Sequence, residues 1–175
     1  MCRNLVLLCI VTSTVFTAQQ PTVLHYLQIQ EKYSHLPEND ARALPPIRKS
    51  IALGKKIQNF RHLVYAYEDA AYYSRDRQHK LLYSDSIVQT AKRTGDAGII
   101  SKAFLAKGII YYFNYRKYDK ALDQYLSAAA FANQTGDEYL IFKIKYNIGV
   151  VKSFLGFHGE ALTLLRRAAI FLNQR

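Results

Sequence analysis

Apolar residues recur along this chain at helical spacing, and no stretch of any length alternates as a strand does. Taken in order, Gln20 to Tyr33 predicts a first helix after Pro21, with Leu24, Leu27 and Tyr33 sharing an apolar side. Ser34 to Asp40 reads as a loop broken at Pro37. Pro45-Pro46 interrupts the next segment, the second being tolerable at a helix start, and Ile47 to Ile57 follows with Ile47, Ile51 and Gly54 on one side. Three helix pairs then succeed one another. Arg61 to Ser74 is followed by His79 to Thr94, Gly98 to Phe113 by Tyr118 to Thr135, and Tyr139 to Phe154 by His158 to Asn173.

The later pairs repeat. Gly108 and Gly149 lie 41 residues apart, Ala121 and Ala161 lie 40 apart, and so do Ala128 and Ala168. Thr94-Gly95-Asp96 recurs 41 residues on as Thr135-Gly136-Asp137. Gly95 suits a left-handed helix terminator and Asp96 a cap for the helix after it. Self-similarity at a fixed period of this size predicts stacked helix pairs. A Gly on the first helix and Ala on the second allow close approach. Tyr111, Tyr118 and Tyr125 in one copy, and Leu155, Leu162 and Leu165 in the other, fill the space beside that contact.

The order of small and large residues, Gly149, Gly156, Ala161, Leu165 and Ala168, resembles the tetratricopeptide repeat. Gly108, Tyr111, Ala121, Tyr125 and Ala128 keep the same order with one residue added in the inter-helix turn. The period of about 40 departs from the usual ~34, and Thr-Gly-Asp stands where that repeat closes on Pro. The resemblance implies an all-α fold, a right-handed superhelical solenoid of about three to four antiparallel helix pairs, over residues 19–175.

Composition agrees. Half the residues are hydrophobic, Tyr numbers 14, Trp is absent and Pro numbers four. A Tyr buries its ring and needs a partner only for its hydroxyl, which suits grooves open at one edge. Residues 1–18 differ in kind. Arg3 precedes Leu5 to Phe16, a run of 12 residues without charge, and Thr17-Ala18 offers a cleavage point. This outlines a secretory signal peptide, too short to span a bilayer comfortably, and the expectation is an exported protein, periplasmic or membrane-associated facing the periplasm. Both cysteines, Cys2 and Cys9, fall inside it, which leaves the remainder no disulfide, thiol nucleophile or cysteine metal site. The net charge of +11 suits a soluble basic exterior or an acidic partner, and an exported protein rarely meets nucleic acid.

Tyr83-Ser84-Asp85-Ser86, Lys107-Gly108, Lys117 to Leu122, and Asn147-Ile148-Gly149 with Lys152 together resemble, with the signal peptide, the exported repeat domains of Bacteroidetes signalling proteins. Those precede a membrane helix and a cytoplasmic region of AraC type, or a kinase. The likeness covers about residues 40–175. Neither of those further parts is present, so a transcriptional role is implied for a longer relative only, and direct nucleic-acid binding is not expected. The last helix has Leu164, Ala168, Ala169, Phe171 and Leu172 on more than one side. A polar capping helix is missing, which points to a fragment of a longer protein or to self-association there.

No catalytic constellation emerges, and no cofactor is expected. His25, His35, His62, His79 and His158 share no ligand spacing and read as turn or surface residues. Asp119, Asp123 and Glu160 sit beside helix starts, where carboxylates favour the dipole. The expected activity is non-enzymatic binding of a protein or peptide. In tetratricopeptide folds the first helix of each pair lines the concave groove. The resemblance thereby assigns Lys102, Leu105, Ile109, Tyr112 and Phe113 to it, and Lys143, Tyr146, Val150, Ser153 and Phe154 in the next copy. Stepping back by 41 puts Arg61 level with Lys102 and Lys143, a ladder of three cations suited to an acidic peptide. Lys143 and Asn147, one turn apart, resemble the carboxylate clamp of peptide-binding members. Asn147 equally fits the ordinary Asn-x-Gly start of the repeat.

Overall fold

A computed structural model describes residues 25–173, so the segment expected to be a signal peptide and both cysteines lie outside the described residues. Among the described residues every regular element is helical. Residues 25–30 are helical (α1), and turns carry the chain to a short 3-10 segment, Ala41–Ala43. Then come α2 (Leu44–Lys56), α3 (Phe60–Tyr73), α4 (Arg77–Thr94), α5 (Ala97–Ile110), α6 (Tyr118–Ala132), α7 (Glu138–Phe154) and α8 (His158–Asn173). Pro45 and Pro46 both fall in the first turn of α2, where their missing N–H groups cost nothing. The first helix stops earlier than its sequence suggests. Ile29 and Tyr33 take the inward positions, while Leu27 is exposed.

The substantial helix contacts all join neighbours along the chain, α2 with α3 through to α7 with α8. Packing is most extensive within α3/α4, α5/α6 and α7/α8, the three pairs expected from the repeat. The small residues sit at these contacts. Gly108 faces the buried ring of Tyr125, and Gly149 faces Leu164 and Leu165. The hydroxyl of Ser101 donates to the carbonyl of Ala128 at 2.8 Å, tying α5 to α6. Leu162, expected to fill space beside the pair, is exposed on the outer side of α8 together with Ile170.

The Thr-Gly-Asp turns are built alike. Gly95 and Gly136 adopt φ of 68° and 67°, left-handed values that favour glycine. The Thr94 and Thr135 hydroxyls donate back to Ala91 and Ala132, and accept the amides of Asp96 and Asp137. Each Asp then caps its helix, Asp96 accepting from the Ile99 amide at 3.1 Å and Asp137 from the Leu140 amide at 2.9 Å.

Before α3 the turn differs. Gln58 takes the left-handed position and Asn59 the cap, 37 residues ahead of Asp96 rather than 41. The following helices keep 41, from the Asp76 cap of α4 to Lys117 before α6. The difference lies in the end of α5, which runs on through a π-helical segment, Tyr111–Tyr115, to Arg116 in the left-handed conformation. Helix α3 is therefore about a turn shorter than the arm formed by α5 and its extension.

Candidate functional site

Helix α5 contains no Asp or Glu, and α7 contains only Glu138 at its start. Against that background Lys102 and Lys143 are exposed, and their ammonium groups enter no ion pair or hydrogen bond. Other cations near these helices are engaged: Lys107 pairs with Asp85 and Lys152 with Glu160. Counted from their caps, Lys102 and Lys143 occupy the same turn of the two helices. Arg61 is not level with them. The 37-residue spacing puts Tyr65 at that turn of α3 and Arg61 one turn earlier, where it binds the Asp96 carboxylate at 2.9 Å. The cation ladder of the sequence reading thus has two rungs rather than three.

Arg61 and Lys102 nonetheless border one hollow of about 190 Å³ between α3 and α5, with Val64, Tyr65, Glu68 and Ile99. Lys143 and Tyr146 border a second, of about 190 Å³ between α7 and α8, walled by Tyr139, Phe142, Ala168 and Phe171. Phe142 and Phe171 stack there with ring centres 3.8 Å apart.

At the far end of α5 and α7 the predicted aromatic residues do come together. Tyr112 meets Phe154 edge-on at 5.7 Å and Phe113 edge-on at 4.7 Å, lies tilted to Tyr118 at 5.6 Å, and Tyr118 stacks on Phe154 at 4.8 Å. Phe113 and Phe154 remain 70% and 56% exposed, so the cluster presents rings to solvent. The π-helical segment brings this about by carrying Tyr112 and Phe113 past the end of α5. Ile109 and Val150 are half-buried between the cationic and aromatic ends.

Two expected site residues are used otherwise. Leu105 is buried in the core with Tyr125, Ile144 and Ile148. The Asn147 amide donates to the Lys143 carbonyl at 2.8 Å, so it closes on its own helix rather than opening toward a ligand carboxylate. Among the histidines, His62 is buried, its Nε2 lying 2.9 Å from the Ser50 carbonyl and 3.0 Å from the Ser50 hydroxyl. The other four are exposed. Burial lowers the His62 pKa from its ordinary value.

Glu68 is the residue that sequence reasoning missed. It is half-buried and makes no hydrogen bond or ion pair. Burial first, and then the neighbouring Asp69, push its carboxyl up to about 7, against the pull of Lys102. Its spacing was informative: Glu68 lies one turn after Val64 and one turn before Ala71, both buried, so it cannot point fully outward. Asp69 has a structural task, accepting the hydroxyls of Tyr33 at 2.5 Å and Tyr26 at 3.2 Å.

Among the described residues no group of three or more His, Cys, Asp or Glu is arranged to hold a metal, and no helix is long and apolar enough to cross a membrane. No protein-family model matches the chain, and no curated protein matches it.

Proposed function

We propose that this chain is a non-enzymatic binding protein, a tetratricopeptide-like solenoid that holds a protein or peptide segment along α5 and α7. The observation that carries this reading is the pair of unengaged lysines, Lys102 and Lys143, on two helices almost free of acid, with exposed rings at the other end. An apolar, ring-lined surface with a few placed charges is what recognition of an extended or helical segment uses. The charge selects acidic segments, and the rings supply the contact area.

Titration of acidic and basic peptides against the full chain tests the reading. Acidic peptides bind and lose affinity as salt rises, and Lys102→Ala/Lys143→Ala weakens them. Equal affinity in the parent and the double variant overturns the cationic end, and no binding by either peptide class overturns the groove.

A further inference from the structure

We infer that the hollow between α3 and α5 is a carboxylate site. In it a carboxyl group of the bound segment sits between the Lys102 ammonium and the Glu68 carboxyl and shares a proton with Glu68. This rests on the groove reading and names the chemical group that its first part accepts.

The geometry carries it. Glu68 and Lys102 border the same hollow, yet form no ion pair with each other, and neither has another partner. A half-buried carboxyl with no protein partner is left free to meet a ligand group, and such unpartnered groups gather at sites that do something. The hollow has room for a side-chain carboxyl or a chain terminus, with Val64 and Ile99 against its stem.

The charges around it fix which group fits. Asp69 lies beside Glu68 on α3 with its carboxylate occupied by two tyrosine hydroxyls. Arg61, also on α3, is held by Asp96 at the start of α5. Lys102 is the one charge from α5 that bears on Glu68. With Glu68 protonated, the unspent charge is the lysine's, and the carboxyl O–H is a donor. An incoming carboxylate meets one ammonium and one O–H, and the proton comes from the solvent. A ligand ammonium would meet Lys102 as a like charge.

Because Glu68 is pushed up to about 7, its protonated share changes about tenfold between about pH 6 and about pH 8. The experiment is isothermal titration of the full chain with a short glutamate homopeptide at low salt, in buffers of differing ionisation heat. The expected result is proton uptake on binding and affinity about tenfold tighter at about pH 6 than at about pH 8. Glu68→Gln, which keeps a donor but cannot titrate, binds with the pH dependence removed. Lys102→Ala weakens binding throughout the range. Binding without proton uptake, or unchanged pH dependence in Glu68→Gln, overturns the carboxylate site and leaves the groove standing. Failure of the glutamate peptide to bind, or binding of a lysine homopeptide in its place, overturns it as well. The groove itself falls if no peptide of either class binds, or if Lys143→Ala and Phe154→Ala are also without effect on every peptide that does.

Discussion

Gly108 lies against the ring of Tyr125 so closely that a methyl group on it would sit 2.4 Å from the ring's Cε1. The ring is buried and cannot swing clear. Gly108→Ala is therefore expected to destabilise the protein by about 1–2 kcal/mol, overpacking outweighing the gain in helix propensity. Gly149→Ala is milder, since its nearest neighbours, Leu165 Cγ and Leu164 Cβ, stand at 3.1 and 3.2 Å. Urea unfolding of the two variants checks the order. A Gly108→Ala protein as stable as its parent would show that the contact is loose.

The two matched turns predict matched costs. Asp96→Ala and Asp137→Ala each remove an acceptor from a helix-capping amide, at about 1 kcal/mol apiece. Asp96 also loses Arg61, but that pair is exposed and adds little. Asn at either position restores most of the loss. Thermal denaturation in the four variants decides the matter, and a cost confined to one turn would break the equivalence of the repeats.

Two groups, one buried and one half-buried, give stability opposite slopes with pH. The folded pKa of His62 lies below its unfolded value, so the unfolded chain binds more protons and stability is lost as pH falls below about 6.5. The folded pKa of Glu68, about 7, lies above its ordinary 4.5, so its contribution is full below 4.5 and lost as pH rises through 7. Glu68→Gln should accordingly raise the melting temperature at about pH 8 and leave it unchanged at about pH 4. An equal effect at both ends would remove Glu68 from the pH dependence.

The proposed groove has a length. Lys102 and Phe113, like Lys143 and Phe154, are 11 residues apart, about 16 Å along a helix. An extended peptide covers that in about five residues. Peptides with an acidic residue and an aromatic one separated by about five positions should bind tighter than the same residues placed adjacent, and Phe154→Ala should abolish the difference. Fluorescence anisotropy on a spacing series measures it. Indifference to spacing would mean that the rings and the lysines serve separate surfaces.

Much of the architecture is legible in the sequence because its signals are local. Thr-Gly-Asp fixes a turn through hydrogen bonds among residues five apart or fewer, and α8 has the expected bounds, His158–Asn173. Gly108 announces its contact because a small residue amid Tyr and Ile invites a ring. What the sequence hides depends on two helices at once. The shorter α3 is invisible because Asn59 does the work of Asp96 without its Thr-Gly, and that shift misplaces Arg61 by a turn. Asn147 looks available until its amide is seen closing on Lys143. Glu68 and Asp69 are adjacent and alike in sequence, yet one borders a hollow against α5 and the other is claimed by two tyrosines.

The packing of each helix on its chain neighbours sets how the molecule gives way under load. The longest side-chain hydrogen bond among the described residues spans the 43 positions from Tyr26 to Asp69, close to one repeat. Among the described residues no side-chain hydrogen bond joins the first helices to the last, so tension applied across them meets no clasp. The chain should peel hairpin by hairpin, in a staircase of small ruptures rather than one large one.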